Sequence, residues 1–287
     1  MVIVKIFGGL GNQMFQYAVA RSISINFQAK LILDTSYYQS NFEQNYGLSV
    51  FNINTEVVNE APENNNENSI NLSHYHHNDR EKDYYLLKEK SFRFDSSLFN
   101  ISGNVYLDGY FQSEKYFITN RHNIYTDFSL REELDGTNRN IISDMESCNS
   151  VSIHVRRGDY LTESVKNILS ICDVKYYKKA VDIIYRDIKN PVFYVFSDDM
   201  DWAKRNLSFI QNTYFININF KEESYKDMIL MSKCKHNIIS NSTFSWWAAW
   251  LNDNPNKMII SPIMWVNPKS RNSKNDQDIR PASWIQV

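Results

Sequence analysis

The sequence predicts an α/β fold of two Rossmann-like halves facing each other across a cleft. Three observations predict it. Short apolar runs alternate with segments of helical periodicity in both halves of the 287-residue chain. Glycines or carboxylates follow several of those runs, and a polar stretch near 135–149 separates one alternation from the other. Runs that are apolar on both faces mark parallel strands covered by helices. The expected organisation is a first domain over 1–147 carrying an Asn-rich insertion near 59–83, a second domain over 148–262, and a tail over 263–287.

Each element follows from its pattern. Val2 to Phe7 is a buried strand broken only by Lys5, and Gly8-Gly-Leu-Gly-Asn-Gln13 turns it into a helix. Met14, Phe15, Ala18, Val19 and Ile23 recur there at helical spacing. Lys30 to Asp34 closes a βαβ unit. From Asn59 to Asp83 the chain turns polar, with three consecutive Asn from Asn64, and is expected as a mobile insertion. His74, His76 and His77 lie in it without a second ligand pair at metal spacing. Asn104 to Phe111 reads as a strand and Ser113 to Thr119 as a short helix. In the second half, strands are expected at Val151, Pro191–Asp199, Thr213–Ile216, His236–Ser240 and Met258–Ser261. Helices over Val174–Ile188, through Trp202 and Ala203, over Ser224–Lys235 and over Thr243–Asn252 separate them.

Bulk composition excludes several classes. A net charge of -2 gives no electrostatic footprint for nucleic acid. Cys148, Cys172 and Cys234 are odd in number and far apart, which fits a reducing cytoplasm better than a disulfide framework. No apolar run approaches the roughly 20 residues of a membrane span, and the N-terminus enters a strand with no signal peptide. Without a secretory signal, the acceptor patterns at Asn71, Asn206 and Asn241 are chance matches. The 18 Tyr, 17 Phe and 6 Trp suit sugar stacking and an ordinary core equally.

Chemistry in open α/β sheets gathers at strand ends. Val151-Ser-Ile-His-Val-Arg-Arg-Gly-Asp-Tyr160 delivers two guanidinium groups, a glycine and a carboxylate at such an end. A bare Arg pair is usually two solvated charges. With His154 at strand spacing and Gly158 allowing close approach, an anion clamp is the better reading, since arginine grips two phosphate oxygens at once. Ser197 to Asp199 and Ser240 to Phe244 should reach the same sheet edge. Ser242 or Thr243 there caps a helix whose N–H groups attract anions, while Trp246, Trp247 and Trp250 belong mostly to core. Together these residues fit a nucleoside diphosphate, with Asp198 accepting from guanine or ribose. Metal bridging would use Asp199-Met-Asp201 or Asp276-Gln-Asp278, but the first starts a helix, the second lies in a polar tail, and arginine already supplies the charge. A dinucleotide reading of the Gly8 turn has Asp34 as its acid, yet Met14 replaces the third glycine.

Taken together, Gly8-Gly-Leu-Gly-Asn-Gln-Met-Phe-Gln16, His154-Val-Arg-Arg-Gly-Asp159, Phe196-Ser-Asp-Asp199 and Ser240-Asn-Ser-Thr-Phe-Ser-Trp-Trp-Ala-Ala-Trp-Leu-Asn252 resemble glycosyltransferase family 11, the α-1,2-fucosyltransferases. The four motifs run in order from Lys5 to about Pro262 and leave the insertion and tail uncovered. The resemblance implies a GT-B fold, GDP-β-L-fucose as donor with no further cofactor and no metal, and transfer with inversion to the 2-hydroxyl of a terminal galactose. The His-x-Arg-Arg-x-Asp pattern is similar to that of α-1,6- and protein O-fucosyltransferases, whose first arginine holds the β-phosphate, matching Arg156. Their Gly-x-x-Gly-Asn asparagine at the reaction centre matches Asn12, and their Ser-Thr-Phe at the phosphates matches Ser242, Thr243 and Phe244.

The expected catalytic set is therefore Arg156, Asn12, His154 and Asp159. The expected donor set is Arg156, Arg157, Asp198, Ser242, Thr243 and Phe244. His154 packs against the donor or serves the reaction centre, and Asp159 orients Arg156 or Arg157. Asn12 orients sugar but cannot be a base, so a loose displacement needing little base assistance is expected. The partners implied are GDP-fucose and a β-galactoside, including lipid-linked oligosaccharide for O-antigen or capsule, with a cytoplasmic enzyme in peripheral contact with the inner membrane face. The alternatives are an α-1,6- or protein-O-type fucosyltransferase, a non-catalytic nucleotide-sugar-binding protein, and an NAD-dependent oxidoreductase.

Overall fold

The computed structural model describes residues 1–40, 44–59, 63–66, 69–71, 83–101, 103–270 and 275–287. The chain divides into two compact units, Met1–Glu132 with Gln277–Ile279 and Glu133–Asp276 with Arg280–Val287. Both are α/β, as the alternation predicts.

Among the described residues, the first unit carries β1 (Val2–Lys5), β2 (Leu31–Asp34), β3 (Glu56–Val58), β4 (Glu63–Asn66), β5 (Ser69–Asn71), β6 (Asp83–Lys88) and β7 (Val105–Asp108). They lie in the order β3-β2-β1-β7-β6-β5-β4. The strands from β3 to β6 are parallel, with Val2 opposite Leu31 on one side and Val105 on the other. The helix Leu10–Asn26 buries Met14, Phe15, Ala18, Val19 and Ile23, the residues its periodicity picks out. β4 and β5 add antiparallel strands inside the expected insertion. Its sequence hides them, because an edge ladder is made by backbone groups and needs no apolar side chain. The rest of that insertion, with His74, His76 and His77, lies outside the described residues.

The second unit holds β8 (Asn149–Val155), β9 (Pro191–Ser197), β10 (Thr213–Ile216), β11 (His236–Ile238), β12 (Ile259–Ser261) and β13 (Ile285–Gln286), in the order β10-β9-β8-β11-β12-β13. Every neighbouring pair is parallel. The helix Val174–Asp187 lays Tyr177, Ala180, Val181 and Ile184 on the Val151, Ile153, Phe193 and Val195 face of the sheet. The helix Thr243–Leu251 is buried nearly all round, and Trp246 packs 6.4 Å from Trp250 and 5.4 Å from Trp284. Such ring pairs add about 0.5–1.5 kcal/mol each beyond the area they bury.

Three expectations change. The polar stretch 135–149, expected to hold the boundary between the domains, lies just after it, since the second unit begins at Glu133; it forms the helix Gly136–Ser147, whose start is fixed by Asp135 accepting the Asn138 N–H at 3.0 Å. It buries Met145 and Asn138, too few residues for an apolar stripe to be legible. The expected helix over Ser113–Thr119 is two 3₁₀ turns, Glu114–Tyr116 and Ile118–Asn120, that lead into the α-helix Arg121–Asp127. The stretch 263–287 is built in rather than appended, since it supplies β13 and Trp284. No helix among the described residues is long and apolar enough to cross a membrane.

Candidate functional site

In the second unit the strand order reverses at β8, which continues to β9 on one side and borders β11 on the other. Ligands of open α/β sheets bind at the strand ends of such a switch point. The loops 156–159 and 239–242 leave the sheet there.

Asp198, the first residue beyond β9, ties the first loop down. Its Oδ1 accepts the Arg157 N–H at 2.8 Å and its Oδ2 the Gly158 N–H at 3.0 Å. A Cβ on Gly158 would stand 2.9 Å from that Oδ2, so the strap requires glycine. The same Oδ2 lies 3.2 Å from Arg156 Nη1, while Asp159 Oδ1 lies 2.9 Å from Nη2. Tyr160 places its ring 5.7 Å from the guanidinium. Two carboxylates thus aim the Arg156 fork, and 35% of its side chain still reaches solvent.

Arg157 is disposed differently. It lies 4.2 Å over the Trp202 ring and 3.4 Å from Asp199 Oδ2, with 17% of the side chain exposed. Asp199 in turn caps the helix Met200–Asn206 by accepting the Trp202 N–H at 3.0 Å. The clamp is therefore one presented arginine and one packed arginine, a distinction the Arg-Arg pair does not carry in sequence.

His154 is buried, with Nδ1 2.9 Å from Ser240 Oγ and its ring 5.7 Å from Phe244. Burial, and then the Arg156 charge, push its imidazole down to about 3. It is neutral at ordinary pH. Ser242 caps Thr243–Leu251, its Oγ accepting the Phe244 N–H at 3.4 Å. The positive end of that helix therefore lies at Ser242 and Thr243, with the Phe244 N–H taken by the cap. Tyr160 joins the two loops, donating from its hydroxyl to the Asn241 carbonyl at 2.9 Å. Asn241 is itself buried and donates to the Trp265 carbonyl at 3.0 Å, so its amide is closed to glycosylation. Tyr160, Ser240 and Asn241 stand inside the motifs, but their hydrogen bonds span more than 80 residues and leave no local signal.

Asn12 belongs to the first unit, in the opening turn of Leu10–Asn26, and its Oδ1 accepts from Gln112 Nε2 at 3.0 Å. Gly8, at φ 79°, makes the preceding turn, and a Cβ there would come within 2.9 Å of Asn12 Nδ2. Gln13 is consumed by the fold, donating to the Gly8 and Asn45 carbonyls at 2.9 Å each and accepting the Gly47 N–H at 2.8 Å.

The rival acids are similarly committed. Asp34 is fully buried and accepts the Tyr106 hydroxyl and the Ser36 N–H, which removes the ribose partner of a dinucleotide site. Asp276 pairs with Arg280 and accepts the Trp265 and Val266 N–H groups, whereas Asp278 pairs with Lys115 and accepts the Phe94 N–H.

Several known proteins are similar to this chain. The model of "Glycosyl transferase family 11" matches residues 1–287. The chain is 33% identical to the O-antigen biosynthesis glycosyltransferase WbnK of Escherichia coli, over 98% of each protein. It is also 33% identical to an alpha-1,2-colitosyltransferase of Escherichia coli, over 100% of this chain and 99% of that one. Galactoside alpha-(1,2)-fucosyltransferase 2 of Hylobates lar is 27% identical over 86% of this chain and 68% of its own. Among solved structures, a FUT1 variant of Arabidopsis thaliana in complex with GDP superposes with a TM-score of 0.52 at 10% identity, over 99% of this chain and 75% of that one. NodZ alpha-1,6-fucosyltransferase soaked with GDP-fucose gives 0.50 at 14%, over 87% and 92%. At those identities the structural likeness is one of fold. The family match along the whole chain and the relatives that cover it end to end make the protein a glycosyltransferase and a member of glycosyltransferase family 11.

Proposed function

We propose that the protein transfers L-fucose from GDP-β-L-fucose to the 2-hydroxyl of a terminal β-galactoside, with inversion and without a metal ion. The observation that carries this is the Arg156 fork, aimed by Asp159 and Asp198 at the switch point beside the Ser242 helix start. Negative charge grows on the β-phosphate oxygen as the donor bond breaks. Arg156 and the N–H groups at Ser242 and Thr243 are fixed dipoles and charge placed for that oxygen, which is where preorganised stabilisation acts most strongly. The fucosyl carbon gains oxocarbenium character, as in other glycosyl transfers. His154, neutral and bound to Ser240, positions the strand end and the Phe244 ring and is not a base at neutral pH. Asp159 orients Arg156, and Asn12 orients sugar.

A second reading has one observation in its favour, the relative named alpha-1,2-colitosyltransferase at 33% identity. Colitose lacks only the 3-hydroxyl of fucose, and a phosphate clamp does not discriminate between the two donors. The test offers GDP-fucose and GDP-colitose to the enzyme with a panel of β-galactosides in EDTA, followed by linkage analysis. A 1,2-linked fucoside formed at undiminished rate in EDTA supports the first reading; a preference for GDP-colitose supports the second. A 1,6 linkage or transfer only to a peptide hydroxyl removes both, and binding of the donor with no GDP released in the presence of any acceptor of the panel marks a non-transferring binder. The relative named for O-antigen biosynthesis favours a lipid-linked saccharide as acceptor, met by peripheral contact with the membrane.

A further inference from the structure

The first unit has a switch point of its own. β1 continues to β2 on one side and borders β7 on the other, so the loops after β1 and β7 open between them. Aromatic rings gather on those loops. Phe7 lies 4.9 Å from Tyr110 and 6.0 Å from Tyr37, and none of the three is buried. The cluster is anchored beside the Gly8–Asn12 turn, because Tyr38, 5.2 Å from Tyr37, donates its hydroxyl to the Gly8 carbonyl at 2.9 Å.

Glu89, the residue after β6, fixes the other side. Its two carboxylate oxygens accept the Tyr110 N–H at 2.8 Å and the Phe111 N–H at 3.0 Å. Phe111 is held at φ 50°, a left-handed conformation that a non-glycine residue adopts only under constraint. The next residue, Gln112, donates to Asn12. Gly109 lies so close that an added Cβ would stand 2.3 Å from Glu89 Cβ. A single carboxylate therefore sets the Tyr110 ring against Phe7 and the Gln112 amide against Asn12. Aromatic faces beside a few fixed polar groups at a sheet switch point are what binds a pyranose, apolar face on ring and hydroxyls on amide.

We propose that Phe7, Tyr37 and Tyr110 form the stacking platform for the acceptor pyranose, with Glu89 as the positioning residue that holds Tyr110 and Gln112 in register. This rests on the fucosyl-transfer reading only for which sugar is placed there. Burial pushes the Glu89 carboxyl up to about 7, against the lowering effect of its two N–H donors. The titratable groups facing it are the Tyr110 and Tyr116 hydroxyls, both raised by burial and neutral, and the Lys5–Asp108 pair stands on the neighbouring strand ends. Protonation of Glu89 replaces an acceptor by a donor opposite an N–H and loosens the platform, so acceptor use should rise as pH passes upward through 7.

The experiment uses the full chain with lactose and methyl β-galactoside. Ligand-observed NMR measures galactoside binding by the wild type, Tyr110→Ala and Tyr37→Ala. Steady-state rates follow the same proteins together with Glu89→Gln and Glu89→Asp from pH 5.5 to 8.5. Tyr110→Ala is expected to weaken galactoside binding about tenfold while GDP affinity stays unchanged. Glu89→Gln should raise the acceptor KM, leave the donor KM alone and abolish the acidic limb near pH 7, with Glu89→Asp partly restoring both. Variants that bind GDP normally and keep wild-type galactoside binding and pH profile overturn the platform. Wild-type protein that binds galactosides through Tyr110 but transfers no sugar overturns the proposed reaction and leaves the platform standing.

Discussion

Arg156 and Asp198 are joined by a 3.2 Å ion pair, and the same carboxylate fastens the backbone that carries the arginine through the Arg157 and Gly158 N–H groups. One side chain therefore sets both where the guanidinium sits and which way it points. Asp198→Ala should hand two exposed N–H groups to water, so the loop loses its fixed position at little cost in stability. GDP affinity is expected to fall at least about tenfold (a change of roughly 1.4 kcal/mol), with Asp198→Asn intermediate because one carbonyl oxygen remains. Calorimetric titration of GDP checks this, and wild-type affinity in Asp198→Ala would mean that the strap is dispensable.

Arg156→Ala should lower kcat by about 10²–10³-fold, the range seen when one donor to a developing oxyanion is lost. Arg156→Lys should recover only part of it, since an ammonium cannot be gripped by Asp159 and Asp198 while also forking onto phosphate. Near-normal turnover in Arg156→Ala would place the leaving-group charge elsewhere.

Gly158→Ala tests the strap without touching a charge. Its Cβ would meet Asp198 Oδ2 at 2.9 Å, so the carboxylate must retreat from Gly158 and drag on Arg156. Loss of turnover with an unchanged melting profile is the expected outcome; a variant as active as wild type would show that the loop yields freely.

His154 gives a stability signature. Its folded form stays neutral down to about pH 3, whereas the unfolded chain takes up a proton near 6.5. Below that value the unfolded state binds the extra proton, so stability falls as pH drops from 6.5 toward 3, by about 1.4 kcal/mol per pH unit from this group alone. Denaturation of wild type and His154→Asn at pH 7 and pH 5 should show a shallower acid loss in the variant. Parallel curves would mean that the imidazole is charged in the folded protein.

Much of this was legible in the residues. The apolar runs at Val2, Leu31, Val151 and Pro191 are strands, and the strand-end motifs His154–Asp159 and Ser240–Phe244 do meet at one sheet edge. What escaped is of two kinds. β4 and β5 are held by backbone pairing, and the helix Gly136–Ser147 buries too little for a periodic stripe to form. The roles of Asp198 and Glu89 depend on hydrogen bonds to N–H groups 41 and 40 residues away for the first and 21 and 22 for the second, and any carboxylate looks alike before the partner is known. Sequence spacing finds the group that meets a ligand more readily than the group that holds it there.

The late part of the chain is shared between the two units. Residues 277–279 return to the first, where Asp278 accepts the Phe94 N–H, and the following residues supply Trp284 and β13 to the second. A change within this short stretch is therefore felt twice: losing Asp278 strips the first unit of the acceptor for the Phe94 N–H and of the partner of Lys115, while losing Trp284 takes a ring from beside Trp246 in the second. One segment of about ten residues thus couples the integrity of two units whose sheets are otherwise separate.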